Sequence, residues 1–227
     1  YDAAHSLCQT AQACWQFERA DWNSSFITSS SWSNQFKGMT AGESLKLDLQ
    51  RMDAAYLQHN QRELEITKTV SLRLLHGKDT ATTLNKEWTQ LKQQMTSNGT
   101  VDFALTKALF DADYPDHYLR RIKSVSVSLP ATLSPYEDIR ATLTQLQNQT
   151  QLSKAPDDTL NNLRVKEQVA LSTGVNDSGL FTLNFDTDER YLPFEFTGAV
   201  SSWRLAFPNP TAQHAMLDSL SDIIIHV

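Results

Sequence analysis

Between Met95 and Val101 the spacing of apolar residues changes from steps of three and four to steps of two, and no all-helical or all-β fold accommodates both halves. Before the change, Leu84, Trp88, Leu91 and Met95 follow a helical period that "SNG", Ser97 to Gly99, ends. After it, Val101, Phe103 and Leu105 of "VDFALT" share one face of a strand. The pattern predicts an α+β chain: long N-terminal helices over 1–77, a connecting segment with a short helix over 78–100, and an antiparallel β-sandwich-like domain over 101–227.

The helical part opens with Ala4, Leu7, Cys8, Ala11, Cys14, Trp15 and Phe17, one buried face of a helix over about 3–20. The Ser-rich break "DWNSSFITSSSWSNQF" carries Trp22, Phe26, Trp32 and Phe36, and four large aromatics do not make a simple flexible linker. A second helix is expected to open at the capping-box spacing of Thr40 and Glu43 and to run to Leu75, with Gly77 stopping it. Leu45, Leu49, Met52, Tyr56, Ile66 and Val70 form its coiled-coil-like seam, interrupted by His59 and Glu63. Glu43 with Lys46, Asp48 with Arg51 and Glu65 with Lys68 place opposite charges three apart on its outer surface.

In the second half, "KSVSVSLP", "DIRATLTQL", "QVALST", "GLFTLNF", "SSWRLAF" and "DIIIHV" read as further strands, about seven in all, as a sandwich requires. The polar, aperiodic run "NQTQLSKAPDDTLNNL", 148–163, reads as a mobile loop.

Composition excludes several functions. A formal net charge of -6 disfavours a chain that works by neutralising phosphates, so no nucleic acid is expected. Cys8 and Cys14 lie more than a helical turn apart, beyond disulfide reach, and read as small core residues. No apolar run reaches the eighteen residues of a membrane-spanning helix, and no basic-then-apolar start marks a signal peptide. Tyr1 in place of Met, and an end inside "SDIIIHV", predict a piece of a longer polypeptide.

Catalytic chemistry finds little purchase. The six histidines show no HxxxH or HExxH spacing, there is no GxSxG elbow, and neither cysteine has a plausible base nearby, so no metal, cofactor or enzymatic activity is expected. Asp186, Asp188 and Glu189 of "FDTDERY" offer paired carboxylates for a hydrolase, but a charged hairpin turn accounts for them more simply, as a turn does for "NDSG" at 176–179. The sequons at Asn23, Asn98, Asn148 and Asn176 fit chance in a Ser- and Thr-rich chain. Two readings of "HYLRRIK" stand side by side: a partner-binding basic patch, or charges lining the outer end of a strand.

"AGESLKLDLQRMDAAYLQHNQRELEITKTVSLRLL", "FDADYPDHYLRRIKSVSVSLP", "SPYEDIRATL", "NDSGLFTLNF" and "ERYLPFEFTGAVSSWRLAFP" occur in that order. Together they resemble the C-terminal region of the A subunits of Tc (ABC) toxin complexes of insect-associated bacteria. The resemblance covers most of the chain, with poor matches at "LLHGKDTATTLNKEWTQLKQQMTSNG" and 148–163. It departs from the family pattern at Asp116 and Ser134, where glycine is usual, and both positions lie in turns.

The resemblance implies a non-catalytic part of a secreted or cell-surface, homopentameric A subunit that encloses a translocation channel. Such a subunit docks the B subunit with its bound C subunit, and reaches the host membrane through chain not present here. Residues 3–75 then look like the end of the channel helices, and 101–227 like the B-subunit-binding domain. Candidate partner contacts are Tyr114, His117, Tyr118, Arg120 and Arg121 of "YPDHYLRR". Pro135 and Tyr136 of "SPY", and Glu195, complete that set.

In "RYLPFEFTGAVSSWRLAF" the structural residues are Tyr191, Pro193 as a strand end, Phe194, Gly198 as the turn into the next strand, Trp203 and Arg204. Glu195 is expected to pair with Arg204 or with Arg120 and Arg121, because a carboxylate among aromatics is costly alone. The alternative from another class is a carbohydrate-binding β-sandwich module of a secreted protein, with Trp22, Trp32 and Tyr136 stacking on sugars.

Overall fold

The structure is a computed structural model that describes residues 2–28, 39–59, 63–76, 88–133, 138–172, 180–181 and 192–227. The chain divides into two compact units, Tyr1–Glu65 and Ile66–Val227.

In the first unit, α1 (Asp2–Arg19) and α2 (Met39–Gln58) carry a small core of Cys8, Ile27 and Leu45, with Leu49 packed against it. Cys8 is buried and Cys14 half-buried, and both are free thiols. Residues 21–28 run back along α1. Gln12 Oε1 accepts from the Phe26 and Ile27 amides at 2.6 and 2.7 Å, and Trp15 meets the Phe26 ring edge-on at 4.9 Å. Asp48, only 3% exposed, accepts from the amide and hydroxyl of Thr28 at 3.1 and 2.8 Å and lies 3.6 Å from Arg51. The buried charge is thus partnered on two sides, and it ties the returning segment to α2.

The long helix expected to reach Leu75 ends at Gln58 instead. Thr69–Ser71 is a strand, β1, followed by the short helix α3 (Leu72–His76). The cause is tertiary: the β-branched run "ITKTV" finds a partner in the C-terminal strand β9 (Ile224–His226), with Val70 opposite Ile225. The seam accordingly breaks up. Leu45 is buried and Leu49 and Met52 are half-buried, but Tyr56 is 41% exposed beneath the Arg19 guanidinium. Ile66 is 38% exposed outside any helix, and Val70 belongs to the core of the second unit. The compact division at 65/66 likewise differs from the expected boundary at 77/78. Lys68, expected to pair with Glu65, forms an ion pair with Asp113.

The second unit continues with α4 (Trp88–Asn98), whose Leu91 and Met95 are buried. Gly99 ends it in the left-handed region at φ 67°, its amide donating to Met95 O at 2.9 Å, and a Cβ there would lie 2.7 Å from Phe207 O. There follow β2 (Thr100–Leu105), α5 (Lys107–Asp111), β3 (Ser126–Ser128), β4 (Arg140–Gln151), β5 (Thr159–Asn161), β6 (Gln168–Ser172), β7 (Leu180–Phe181), β8 (Val200–Ala206) and α6 (His214–Ser219).

Two antiparallel sheets result. One has the order β1-β9-β3-β7; the other runs β2-β8-β4-β5, with β6 also pairing β4. Alternation places Val101, Phe103, Leu105, Val127, Ile139, Ala141, Leu143, Trp203, Leu205 and Ile225 in one shared core. Trp203 faces Phe103 in register and stacks on it at 6.5 Å, and Phe194 meets it edge-on at 4.8 Å.

The run 148–163, expected to be a loop, completes β4 and forms β5, with Gln149, Thr150 and Gln151 opposite Asn161, Leu160 and Thr159. It escapes a hydrophobic-period reading because its inward side chains are polar. Gln145, Asn148 and Thr150 are buried, and Gln145 sits at a register shift between β4 and β8.

Candidate functional site

The chain from α5 to Ile122 forms one edge of the second unit, built by hydrogen bonds to two other segments. The Leu119 amide donates to Gln151 O at 2.8 Å, which fastens it to the end of β4. The Ile122 amide donates to Thr197 O, the Phe196 amide to Ile122 O and the Ala199 amide to Arg120 O, which fastens it to the segment entering β8. Gly198 bridges Arg121 on one side, and on the other leaves no room for a Cβ, which would lie 2.3 Å from Gln149 O.

Asp116 and Leu119 adopt left-handed backbone, φ 63° and 54°, on either side of His117 and Tyr118. Side chains of this size are uncommon there, and the surrounding hydrogen bonds hold the strained turn. The turn keeps Tyr118 50% and Tyr114 38% exposed. The Tyr114 ring packs edge-on against His117 at 5.8 Å, and His117 Nδ1–H donates to Pro115 O at 2.9 Å.

Arg120 is only 14% exposed. Its Nη2 donates to Tyr114 O at 2.7 Å and lies 2.7 Å from Asp111 Oδ1, while the guanidinium sits 5.9 Å from the Phe110 ring centre. Asp111 also pairs with Lys107 at 2.6 Å, one helical turn earlier. Lys107 first and Arg120 second hold the Asp111 carboxyl below its ordinary 3.8.

A depressed folded-state pKa contributes stability above the ordinary value and loses it as pH falls from about 4 through the folded value. Asp111→Asn should therefore lower the melting temperature at pH 7 by about 1–2 °C, a cost on the order of 0.5 kcal/mol for a partly exposed carboxylate. The difference from the parent chain should shrink as pH falls below about 4 and vanish once the folded-state carboxyl is protonated. A gap that persisted there in calorimetry would exclude the charge as its cause.

The edge and the β4–β5 hairpin enclose a cleft of about 120 Å³, lined by residues that include Lys107, His117, Tyr118, Arg120, Gln149 and Gln151. His117, Tyr118 and Arg120, chosen from sequence, thus share the cleft, and Tyr114 adjoins it through its contacts with His117 and Arg120. Arg121 points elsewhere, its guanidinium 5.0 Å from the Phe196 ring centre. Pro135, Tyr136, Tyr191, Trp32 and the Asp186–Glu189 and Asn176–Gly179 motifs lie outside the described residues.

The expected pairing of Glu195 with Arg204 is not formed. Arg204 Nε and Nη2 donate to the two carboxylate oxygens of Asp102 at 2.7 Å each, across the β2–β8 register. Glu195 Oε2 accepts from the Leu192 amide at 2.7 Å. Pro193 and Phe194 lie in a turn rather than at a strand end; Phe194 is fully buried at φ 67°, and its amide donates to Glu167 Oε2 at 2.8 Å. Sequence reasoning missed Lys107, Asp111, Gln149 and Gln151. The first two carry a helical i,i+4 charge signal, whereas the glutamines carry none. Among the described residues, no three His, Cys, Asp or Glu side chains cluster as metal ligands would.

A family model described as the Tc toxin complex TcA C-terminal TcB-binding domain matches residues 1–227. The toxin subunit YenA2 of Yersinia entomophaga is 45% identical over 243 residues, a match covering 100% of this chain and 17% of the relative. Two cryo-EM structures are also similar. Morganella morganii TcdA4 superposes with a TM-score of 0.71 at 35% identity, covering 96% of this chain and 10% of the other. Yersinia pseudotuberculosis TcaA-TcaB superposes with a TM-score of 0.72 at 32% identity, covering 99% and 13%. The chain spans between 10% and 17% of these relatives.

Proposed function

Because the chain belongs to the family of Tc toxin complex TcA C-terminal TcB-binding domains, we propose that it docks the B subunit of a toxin complex through the edge carrying Tyr114 and Tyr118. The observation that carries this reading is the exposure of two tyrosines four residues apart on a backbone turn held in strained geometry. Tyrosine supplies large, amphipathic contact area at low entropic cost, which is why it concentrates at binding surfaces. Arg120 is fixed between the Tyr114 carbonyl and Asp111, and the Tyr114 ring packs on His117, so this part of the rim is preorganised.

In the larger protein this reading implies, the A subunit is secreted, assembles as a homopentamer around a translocation channel, and passes on the toxic C subunit that the B subunit carries. This chain's share is attachment rather than catalysis. The carbohydrate-binding alternative has no comparable support, since both solved relatives and the curated one come from toxin A-subunit proteins of the same family.

Biolayer interferometry of the 227-residue chain against a purified B–C cocoon tests the proposal. Saturable binding in the nanomolar to micromolar range is expected, and Tyr118→Ala should weaken it roughly 30-fold, the effect of a typical aromatic anchor. Because Tyr118 is half exposed, the variant should melt within about 1 °C of the parent. Unchanged affinity in Tyr118→Ala and in Tyr114→Ala would remove this edge from the docking surface.

A further inference from the structure

We infer that the cleft beside Tyr118 receives an acidic side chain, Asp or Glu, of the docked B subunit, an inference that rests on the docking reading above. Among the described residues that line the cleft, the formally charged ones are Lys107 and Arg120, both cationic, and His117 adds an imidazole. Asp111 neutralises one of the two cations, leaving the cluster one positive charge before His117 is counted. The carboxylates nearest along the chain, Asp116, Asp157 and Asp158, are not among the lining residues.

The remaining polar lining suits a carboxylate as well. Gln151 Nε2 is already committed to the Ser153 and Ala155 carbonyls, but Gln149 is exposed on β4, and its carboxamide and the Tyr118 hydroxyl supply neutral donors beside the cations. At about 120 Å³ the cleft is well below the roughly 300–1,000 Å³ of a small-molecule pocket. That suits one inserted side chain rather than a folded ligand. Arg120 is fixed by its contacts to Tyr114 O and Asp111, so its guanidinium need not be ordered on binding.

Charge substitution at Gln149 tests the inference without touching the ion pairs. Gln149→Glu places a carboxylate in the cleft, and Gln149→Lys places an ammonium there. Both variants should keep the parental melting temperature, because the side chain is exposed. Against the B–C cocoon in 50 mM NaCl, Gln149→Glu should bind about 10-fold more weakly, mostly through slower association, and the deficit should shrink to about 2-fold or less in 500 mM NaCl. Gln149→Lys should bind as tightly as the parent or tighter.

No binding by the parent chain would overturn the docking reading itself. Parent binding with equal loss in the Glu and Lys variants, or with no loss in either at low salt, would overturn the acidic-side-chain inference while leaving docking intact.

Discussion

Gly198→Ala should lower the stability of the chain by about 3 kcal/mol or more, a shift near 10 °C for a domain of this size. A Cβ at this position would lie 2.3 Å from Gln149 O, 2.4 Å from Gln149 C and 2.7 Å from Gln149 N. All three are backbone atoms of a central strand, so no rotamer change relieves the overlap. Relief requires β4 to move away from the segment entering β8, and the two are tied together by the ladder from Gln149 opposite Val200 onward. On its other side Gly198 bridges Arg121, so displacement would also disturb the edge that carries Tyr118. Urea denaturation followed by tryptophan fluorescence should show a lower midpoint with an unchanged slope. A midpoint within experimental error of the parent would show that the close approach is not formed.

How much of this was legible in the sequence depended on where each segment's partners lie. Val101, Phe103 and Leu105, or Trp203, Leu205 and Phe207, alternate with polar residues because one face of the sheet meets the core, and the period alone reveals it. The segment 63–71 misled because its 3–4 spacing satisfies a helix locally. Only the distant strand β9, with Ile225 opposite Val70, makes an extended conformation better there. Residues 148–163 misled for a different reason. An inward-facing Asn or Gln is invisible to hydrophobic periodicity, and its acceptability depends on partners that no local window contains.

The candidate site was half legible on the same grounds. "YPDHYLRR" announces aromatics and charges in a turn, and the structure gathers His117, Tyr118 and Arg120 around one cleft, with Tyr114 packed against His117 beside it. Arg120 nevertheless spends its charge on Asp111, so basic residues counted in sequence overstate what a partner meets. The opposite wall comes from Gln149 and Gln151, placed there by a hairpin where the polar, aperiodic run predicts a loop.

Asn148→Ala should cost about 3 kcal/mol, because the buried carboxamide serves several groups at once. Its Nδ2 donates to Leu163 O at 2.6 Å and Gln145 Oε1 at 3.0 Å, and its Oδ1 accepts from the Leu163 amide at 3.2 Å and the Gly198 amide at 3.4 Å. Gln145 in turn donates to Thr197 Oγ1 at 3.2 Å, so the network joins β4, the residues after β5 and the entry to β8. Truncation leaves those donors and acceptors, buried or half-buried, without replacements inside the fold.

Asn148→Asp separates hydrogen bonding from volume. Its carboxylate still accepts from the Leu163 and Gly198 amides, but its second oxygen faces two acceptors, Leu163 O and Gln145 Oε1. Burial and those acceptors should raise the folded-state pKa above the unfolded value, so the penalty is greatest at neutral pH and shrinks as pH falls below the folded pKa, where the protonated oxygen can donate. Melting curves from pH 7.5 to 4.5 should bring Asn148→Asp closer to the parent as pH falls, while Asn148→Ala keeps a nearly constant deficit. Parallel curves for the two variants would mean that the carboxamide's donors are not what holds this side of the cleft together.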